Sequence, residues 1–219
     1  MKTASYKVLL VDDHALLREA LVNIVNSFDD FKVIGTAGNG IELMKVMTDG
    51  AKPDLILLDL NMPGMDGFES AKWLQKEYPA IKILVLTMYD SEIALIRLLQ
   101  IGVKGFLKKD IHPHELNIAL RSVAEEGYYY AHNTTGKLAS LFQQNPAKQS
   151  LLEKAMLSEK EIGFLRLAST DLTYKEIASQ LKITPRAIDG YRDALFDKLD
   201  VKSRVGLAIY AVKNGIVSI

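Results

Sequence analysis

The chain has 219 residues, of which 48% are hydrophobic and 25% are charged, and it contains no cysteine. This length suits two domains better than one, and the missing cysteines exclude disulfides and thiolate metal sites. The formal net charge is zero, but residues 1–126 hold 14 Lys/Arg against 18 Asp/Glu, whereas residues 151–219 hold 11 against 9. The charge pattern indicates an acidic front domain and a mildly basic back domain.

The chain offers no sign of a membrane segment. No apolar run approaches the ~20 residues that span a bilayer, and the first residues lack the apolar core of a signal peptide. Without cysteine, a reducing compartment is the natural expectation. We therefore expect a cytoplasmic protein with no membrane partner.

Short apolar runs alternate with segments of helical periodicity in the first 126 residues. Strands are predicted at 7–11, 31–35, 55–58, 81–86 and 105–107, and helices at 15–25, 40–50, 68–78, 93–101 and 113–126. The run at 55–58 is continuously apolar, which is typical of a strand buried on both faces of a parallel sheet. The order predicts an α/β fold with a doubly wound five-stranded parallel sheet.

Polar residues stand where four of these strands end. They are Asp12, Asp13, Asp59, Thr87 and Lys109. Because the carboxyl ends of parallel strands lie at one edge of the sheet, we expect these side chains to share one crevice. Taken singly, each has an ordinary explanation as a strand-end cap or a solvated charge. Together, three carboxylates, a hydroxyl and an ammonium indicate a common site.

The predicted crevice suits phosphoryl transfer. Close carboxylates repel one another unless a cation intervenes, and their hard oxygen atoms suit Mg²⁺. A carboxylate such as Asp59 can act as a nucleophile toward phosphorus. The negative charge on the transferred phosphoryl group must then be stabilised. A cation, the Lys109 ammonium and the Thr87 hydroxyl can do this.

Over residues 6–126 the sequence resembles the flavodoxin-like receiver domain of two-component response regulators. The matching motifs are Val11-Asp12-Asp13, Asp59 with Met62-Pro63-Gly64-Met65-Asp66-Gly67, Leu86-Thr87 and Phe106-Leu107-Lys108-Lys109. The resemblance implies that Asp59 is the phosphoacceptor, with a sensor histidine kinase as donor. It assigns the conserved lysine to Lys109 rather than Lys108, because the family lysine stands two residues after the leucine.

The same resemblance implies a metal site and a switch. Mg²⁺ or Mn²⁺ would be held by Asp13, Asp59 and the backbone carbonyl of Asn61, with Asp12 helping through water. Thr87 and Phe106 fall at the family's switch positions. For Phe106, plain packing against the sheet is an alternative explanation.

Residues 127–153 are interpreted as a linker between two domains. A short helix is possible at 137–142, before the polar segment that ends at Pro146. The aromatic cluster at 128–130 is interpreted as packing against a domain rather than as a binding platform.

Residues 154–219 have the pattern of a small all-α domain. Two capping boxes, Ser158 with Glu161 and Thr173 with Glu176, predict helix starts, and Thr184-Pro185 predicts a third. A last helix is predicted at 204–213. The second and third helices are joined by a connection short enough for a helix-turn-helix.

This segment resembles the DNA-binding domain of LuxR/NarL-type (NarL/FixJ) regulators. The matching pieces are 157–161, 174–178, Lys198-Leu199 and 201–204. Family members usually carry Thr-Val-Lys-x-His in the recognition helix, where this chain has Ala187-Ile188-Asp189-Gly190-Tyr191, and Asp193 stands at a second family lysine position. The departure concerns the DNA contacts and not the fold.

Helical spacing places the candidate DNA contacts in two groups. The outward face of the third helix carries the base-facing candidates Arg186, Asp189, Gly190 and Asp193, together with Asp197. Arg192 falls near the apolar stripe, where a stem packed on the core is at least as good an explanation as a base contact. Phosphate contacts are expected from flanking cations. They are Lys175, Lys182, Lys198, Lys202 and Arg204.

The sequence therefore predicts a phosphorylation-controlled transcription regulator that binds double-stranded DNA and forms a homodimer when phosphorylated. It is not expected to be a turnover enzyme. The alternative is a phospho-switched protein-interaction or dimerisation module, which the acids Asp189 and Asp193 favour. A phosphatase with an aspartyl nucleophile is disfavoured, because Asn61 occupies the position of that family's second Asp.

Overall fold

The computed structural model describes residues 5–88, 92–130 and 156–217, and the chain divides into two compact units. The first unit is built around a sheet of parallel strands. The strands are β1 (Tyr6–Val11), β2 (Phe31–Ala37), β3 (Leu55–Asp59), β4 (Lys82–Thr87), β5 (Gly105–Lys108) and β6 (Tyr129–Tyr130). The helices between them are α1 (Ala15–Asn26), α2 (Gly40–Thr48), α3 (Gly67–Glu77), α4 (Glu92–Ile101) and α5 (Pro113–Glu125). The sheet order is β2-β1-β3-β4-β5-β6, with every neighbouring pair parallel.

The central strand β3 is buried along its whole length. It pairs with β1 on one side and β4 on the other, so both of its hydrogen-bonding edges are used. Its four apolar residues, Leu55–Leu58, are each 0% exposed. The prediction of a doubly wound parallel sheet with this strand inside it is confirmed.

The sheet has a sixth strand that the sequence analysis did not predict. The backbone N–H of Tyr129 donates to the Lys104 carbonyl at 2.8 Å, and Tyr129 and Tyr130 pair with Gly105 and Phe106. Two residues carry no alternating pattern of their own, and this strand exists only because the edge of β5 supplies hydrogen bonds. Part of the segment predicted as a linker therefore belongs to the sheet.

Residues 131–153 of that predicted linker, including the short helix predicted at 137–142, lie outside the described residues. The boundaries 1–126, 127–153 and 154–219 stay predictions.

Helices build the second unit. They are α6 (Glu159–Ala168), α7 (Tyr174–Gln180), α8 (Pro185–Leu199) and α9 (Arg204–Lys213). Both predicted capping boxes are formed, at Ser158 with Glu161 and at Thr173 with Glu176, and Thr184 caps α8 with proline in its first turn. The helices enclose a separate hydrophobic core around Phe164, Leu165 and Leu195. Across the described parts of the chain, no helix combines the length and apolar character needed to cross a membrane.

Candidate functional site

The carboxyl ends of β1, β3 and β4 bring three of the predicted site residues to one edge. Val11 pairs with Leu58, and Asp59 pairs with Leu86, so Asp12, Asp59 and Thr87 leave the sheet at neighbouring positions. Asp12 is 1% exposed and Asp59 is 3% exposed. Two carboxylates buried to this degree require compensation by a positive charge.

Lys109 provides that charge. Its Nζ lies 2.9 Å from Asp12 Oδ2 and 2.7 Å from Asp59 Oδ2, and its side chain is only 7% exposed. Neither oxygen accepts a well-aligned hydrogen bond from the described residues, so the contacts are ion pairs. The Lys109 backbone N–H donates to the Thr87 carbonyl at 3.0 Å, which fixes the lysine beside β4. Lys108, by contrast, is exposed.

Burial and the charges of the site together shift the pKa of two groups. Burial raises the pKa of Asp59, and the Asp12 charge adds to this effect, while Lys109 and the backbone N–H of Asn61 oppose it. Burial alone would lower the pKa of Lys109, but its interactions with Asp59 and Asp12 outweigh burial and raise it. Lys109 is therefore held as a cation, and its charge partly offsets the burial that raises the pKa of Asp59.

The donor set fits a divalent cation. Asp12, Asp13, His14 and Asp59 each offer one ligand atom, and these atoms all lie within 4.8 Å of one another. Three of the donors are carboxylate oxygens, which Mg²⁺ and Mn²⁺ accept. The backbone N–H of Asn61 contacts Asp59, and the predicted role of the Asn61 carbonyl as a metal ligand stays a prediction.

His14 is a member of this cluster that sequence reasoning missed. Its Nδ1 lies 2.8 Å from Asp13 Oδ1 and 3.3 Å from Asp12 Oδ1, and its side chain is 64% exposed. Its backbone N–H also donates to Asp12 Oδ1 at 2.9 Å. The available signal was its position directly after Asp12-Asp13, at the start of α1.

Gly64 and Gly67 fix the conformation of the turn after Asp59. Gly64 has a φ of +78°, which favours glycine, and Asp66 caps α3 by accepting from the Glu69 N–H. The Gly67 N–H donates to the Leu60 carbonyl at 3.0 Å. A Cβ on Gly67 would lie 2.6 Å from the Leu60 Cα and closer still to the Asp59 carbonyl. The close approach holds α3 against the end of β3 and thereby positions Asp59.

The two predicted switch residues lie on neighbouring strands. Thr87 is 5% exposed at the end of β4 and pairs with Lys108. Phe106 is half-buried on β5, and its ring centroid lies 5.9 Å from that of Tyr130 on β6. Thr87 therefore lies at the sheet edge that carries the site, Phe106 packs against the edge strand β6, and the switching role of both stays a prediction.

The exposed face of α8 carries the base-facing candidates. Arg186, Asp189, Gly190 and Asp193 are all exposed, whereas Ile188, Leu195 and Leu199 are buried in the core of the unit. The amphipathic orientation predicted for this helix is confirmed. A Cβ on Gly190 would meet no atom within 4 Å, so no internal contact requires glycine there.

The flanking cations fall into two classes. Lys175, Lys182 and Lys202 are exposed. Lys198 instead contacts Glu161 at 2.8 Å and the Met156 carbonyl at 3.2 Å. Similarly, Arg204 donates to the carbonyls of Ala168 and Thr170, at 2.8 and 2.6 Å. The last two cations therefore have structural partners that any phosphate would have to replace or share.

Each of the two predicted domains matches a known protein family. The family model described as "Response regulator receiver domain" matches residues 8–121, and the model described as "Bacterial regulatory proteins, luxR family" matches residues 155–211. The chain is 32% identical over 216 residues to the oxygen regulatory protein NreC of Staphylococcus carnosus, covering 96% of this chain and 99% of that protein. It is 32% identical over 211 residues to the response regulator GacA of Pseudomonas syringae pv. syringae, covering 96% and 97%.

Solved structures share the fold. RcsB from Salmonella enterica serovar Typhimurium, solved bound to the promoter P1flhDC with the phosphomimetic BeF3−, has a TM-score of 0.69 at 22% identity and covers 95% of this chain and 98% of its own. The response regulator ChrA of a heme-sensing two-component system has a TM-score of 0.52 at 26% identity, covering 98% and 100%.

Proposed function

Because the chain belongs to the response regulators that join a receiver domain to a LuxR-type DNA-binding domain, we propose that it is a transcription regulator switched by phosphorylation of Asp59. The observation that carries this proposal is the contact between Lys109 Nζ and the buried Asp59 carboxylate at 2.7 Å. A buried carboxylate beside a fixed cation, at the sheet edge where ligands bind, supports the role of nucleophile for Asp59.

In the proposed reaction, an Asp59 oxygen attacks the phosphorus of a phosphohistidine on a sensor kinase. The new O–P bond forms as the P–N bond breaks, and the imidazole leaves with the electron pair. Lys109 sits beside the carboxylate and stabilises negative charge there, and the Thr87 hydroxyl is proposed to contact a phosphoryl oxygen. The phosphoryl group resides on the protein as a signal, so the chain acts as a switch and not as a turnover enzyme.

We propose Mg²⁺, or Mn²⁺, as the cofactor of this step. Asp12, Asp13, Asp59 and the Asn61 carbonyl would hold the ion, and His14 lies against the same carboxylates. When bound, the ion supplies positive charge that neutralises the carboxylates and the phosphoryl oxygens.

Incubation with acetyl phosphate and Mg²⁺ tests the assignment. Intact-mass spectra should gain one phosphoryl group in the wild type and none in Asp59→Asn, because an amide is not a nucleophile. Asp49→Asn, an exposed carboxylate at the end of α2, is the matched control and should behave like the wild type. Asp13→Asn should chiefly weaken Mg²⁺ binding. Undiminished phosphate on Asp59→Asn would refute the assignment.

The proposed output is dimerisation and DNA binding. A phosphoryl group adds roughly −1.5 to −2 charge and three acceptor oxygens, and Thr87 and Lys109 are placed to meet them. Movement of Thr87 and Phe106 would reshape the neighbouring surface. Solution mass should change from monomer to homodimer with a phosphate mimic, and affinity for double-stranded DNA should rise. An unchanged monomer with unchanged DNA affinity would contradict this output.

DNA contacts are proposed from α8 and its flanks. Arg186, Asp189, Gly190 and Asp193 face outward, and Lys175, Lys182 and Lys202 are free to approach phosphates, with Lys198 and Arg204 as further candidates. The second candidate function is a protein-interaction module, favoured by the acids on α8. A gel-shift assay with promoter DNA separates the two. Chromosomal DNA as target implies a cytoplasmic location.

A further inference from the structure

The guanidinium of Arg192 is held between two acidic side chains on α8. Its Nη1 donates to Asp189 Oδ1 at 3.0 Å, and its Nε donates to Asp193 Oδ1 at 2.9 Å. The side chains of Asp189 and Asp193 are 58% and 63% exposed, and that of Arg192 is 29% exposed. The arginine head is therefore fixed at the outward face and does not reach freely into solvent.

Aromatic rings anchor the arginine from below. The Arg192 Cζ lies 5.6 Å from the ring centroid of Tyr174, at the start of α7. That ring stacks on the fully buried Phe164, with centroids 6.3 Å apart and planes 2° from parallel. A guanidinium over an aromatic ring gains a cation–π interaction. The position of the arginine head is thus tied to the core of the unit.

The guanidinium of Arg192 keeps some N–H donors that its contacts with Asp189 and Asp193 do not use. It carries five N–H groups, and its hydrogen bonds to described residues engage the Nε–H and one N–H of Nη1. Nη2 also lies 2.9 Å from Asp193 Oδ1, which engages one of its N–H groups. One N–H on each terminal nitrogen is left for a bidentate contact. In the major groove, the usual partner for such a fork is the O6 and N7 pair of guanine.

The same contacts suggest a role for Asp189 and Asp193, the two acids of α8 that bind Arg192. Unpaired carboxylates facing DNA would repel phosphates. Here Asp189 and Asp193 share the charge of Arg192, and they restrict its rotamers before DNA is met. An arginine that is already ordered loses less conformational freedom on binding.

We propose that Arg192 contacts a guanine and selects one G·C pair in the major groove, with Asp189 and Asp193 as its positioning residues. The inference rests on the proposed DNA-binding function and favours the base contact over packing for Arg192, two explanations that the helical pattern left open.

Full-length protein, phosphorylated with acetyl phosphate, is used to select duplexes from a randomised pool, and affinities are then measured for the selected duplex, its single-position variants and random DNA. Arg192→Lys keeps the charge but loses the fork. It should bind random DNA within about threefold of wild type while its preference for guanine at one position falls at least roughly fivefold. Asp193→Asn should relax preference at that same position.

Asp197→Asn is the matched control. It removes the same charge from α8, and Asp197 is not one of the two acids that contact Arg192. If the acids act only by repelling phosphates, Asp193→Asn and Asp197→Asn will strengthen binding to all duplexes alike, and the positioning role is refuted.

Two other results separate this inference from the proposed function. If Arg192→Lys selects the wild-type sequence with unchanged discrimination, or loses binding to all duplexes equally, the assignment of Arg192 is wrong while DNA binding stands. If the phosphorylated wild type selects no sequence, the proposed DNA-binding function itself fails, and this inference fails with it.

Discussion

At the scale of single residues, Glu161 links two stabilising contacts at the start of α6. Its carboxylate accepts from the Ser158 N–H at 2.7 Å and from Lys198 Nζ at 2.8 Å. Burial alone would raise its pKa, but these hydrogen bonds outweigh burial and hold the pKa of Glu161 below its ordinary value of 4.5. The ionised carboxylate is therefore favoured in the folded state.

This pKa sets a pH dependence. Because the folded-state pKa is the lower one, the stabilisation is fully present above pH 4.5 and is lost as the pH falls through the folded-state pKa. Glu161→Gln should lower the unfolding free energy by about 1 kcal/mol at neutral pH. The difference from wild type should vanish in acid, as measured by urea unfolding across pH. Glu159→Gln, in the same helical turn but outside the capping box, should show a smaller, flatter difference; an equal one would contradict the argument.

Lys109 and Lys108 are adjacent lysines with different surroundings, and they form a matched pair. Lys109 contacts Asp12 and Asp59, whereas Lys108 is exposed. Lys109→Gln should slow phosphorylation by acetyl phosphate roughly 100-fold, since a preorganised charge next to the reacting oxygens is lost. Lys108→Gln should react at the wild-type rate. The rate is followed by intact mass at fixed Mg²⁺, and equal rates for both variants would remove Lys109 from the mechanism.

At the scale of elements, glycine has opposite effects on stability in α3 and α8. At Gly67 a Cβ would overlap the backbone at the end of β3, which cannot yield as a side chain can. At Gly190, inside α8, a Cβ would meet nothing within 4 Å, and glycine only weakens the helix. The same substitution should therefore change stability in opposite directions at the two sites.

Gly67→Ala should destabilise the protein by roughly 1–3 kcal/mol through overpacking. Gly190→Ala should stabilise it by about 0.5–1 kcal/mol through helix propensity. Denaturant unfolding measures both, and each variant serves as the control for the other. If both variants changed the free energy of unfolding in the same direction, the close backbone contact at Gly67 would not determine the effect of the substitution.

At the scale of the whole molecule, the two units have separate cores and only one contains the proposed metal site. Trp73, the single tryptophan, lies on α3 in the first unit, so its fluorescence reports on the unit that contains Asp12, Asp13 and Asp59. A ligand that binds only the folded state stabilises it by mass action.

Mg²⁺ at about ten times its dissociation constant should stabilise this unit by about 1.4 kcal/mol. The thermal midpoint seen by Trp73 fluorescence should rise accordingly, and Asp13→Asn should reduce the rise. Mg²⁺-free buffer with added Na⁺ at equal ionic strength controls for screening. A rise of the same size with Na⁺, or in the Asp13→Asn variant, would mean that the carboxylates do not hold the ion.

The sequence by itself determined the parallel α/β sheet, the helical second unit and the meeting of Asp12, Asp59 and Lys109 at one sheet edge. Strand 55–58 could be identified because a strand buried on both faces is apolar throughout, and the capping boxes could be identified because their residues act within one helical turn. The convergence of Asp12, Asp59 and Lys109 followed from the rule that parallel strands end at one edge of a sheet.

Only the tertiary structure decided the features that depend on distant partners. The strand β6 exists because β5 offers an open edge, and its two tyrosines carry no signal for it. For Arg192, its position near the apolar stripe left packing and a base contact both open, and the structure pairs it with acids on its own helix and with Tyr174 on another. Likewise, Lys198 is committed to Glu161, 37 residues away. Helical periodicity specifies a direction around one axis, whereas the partner of a long charged side chain depends on which other element packs beside it.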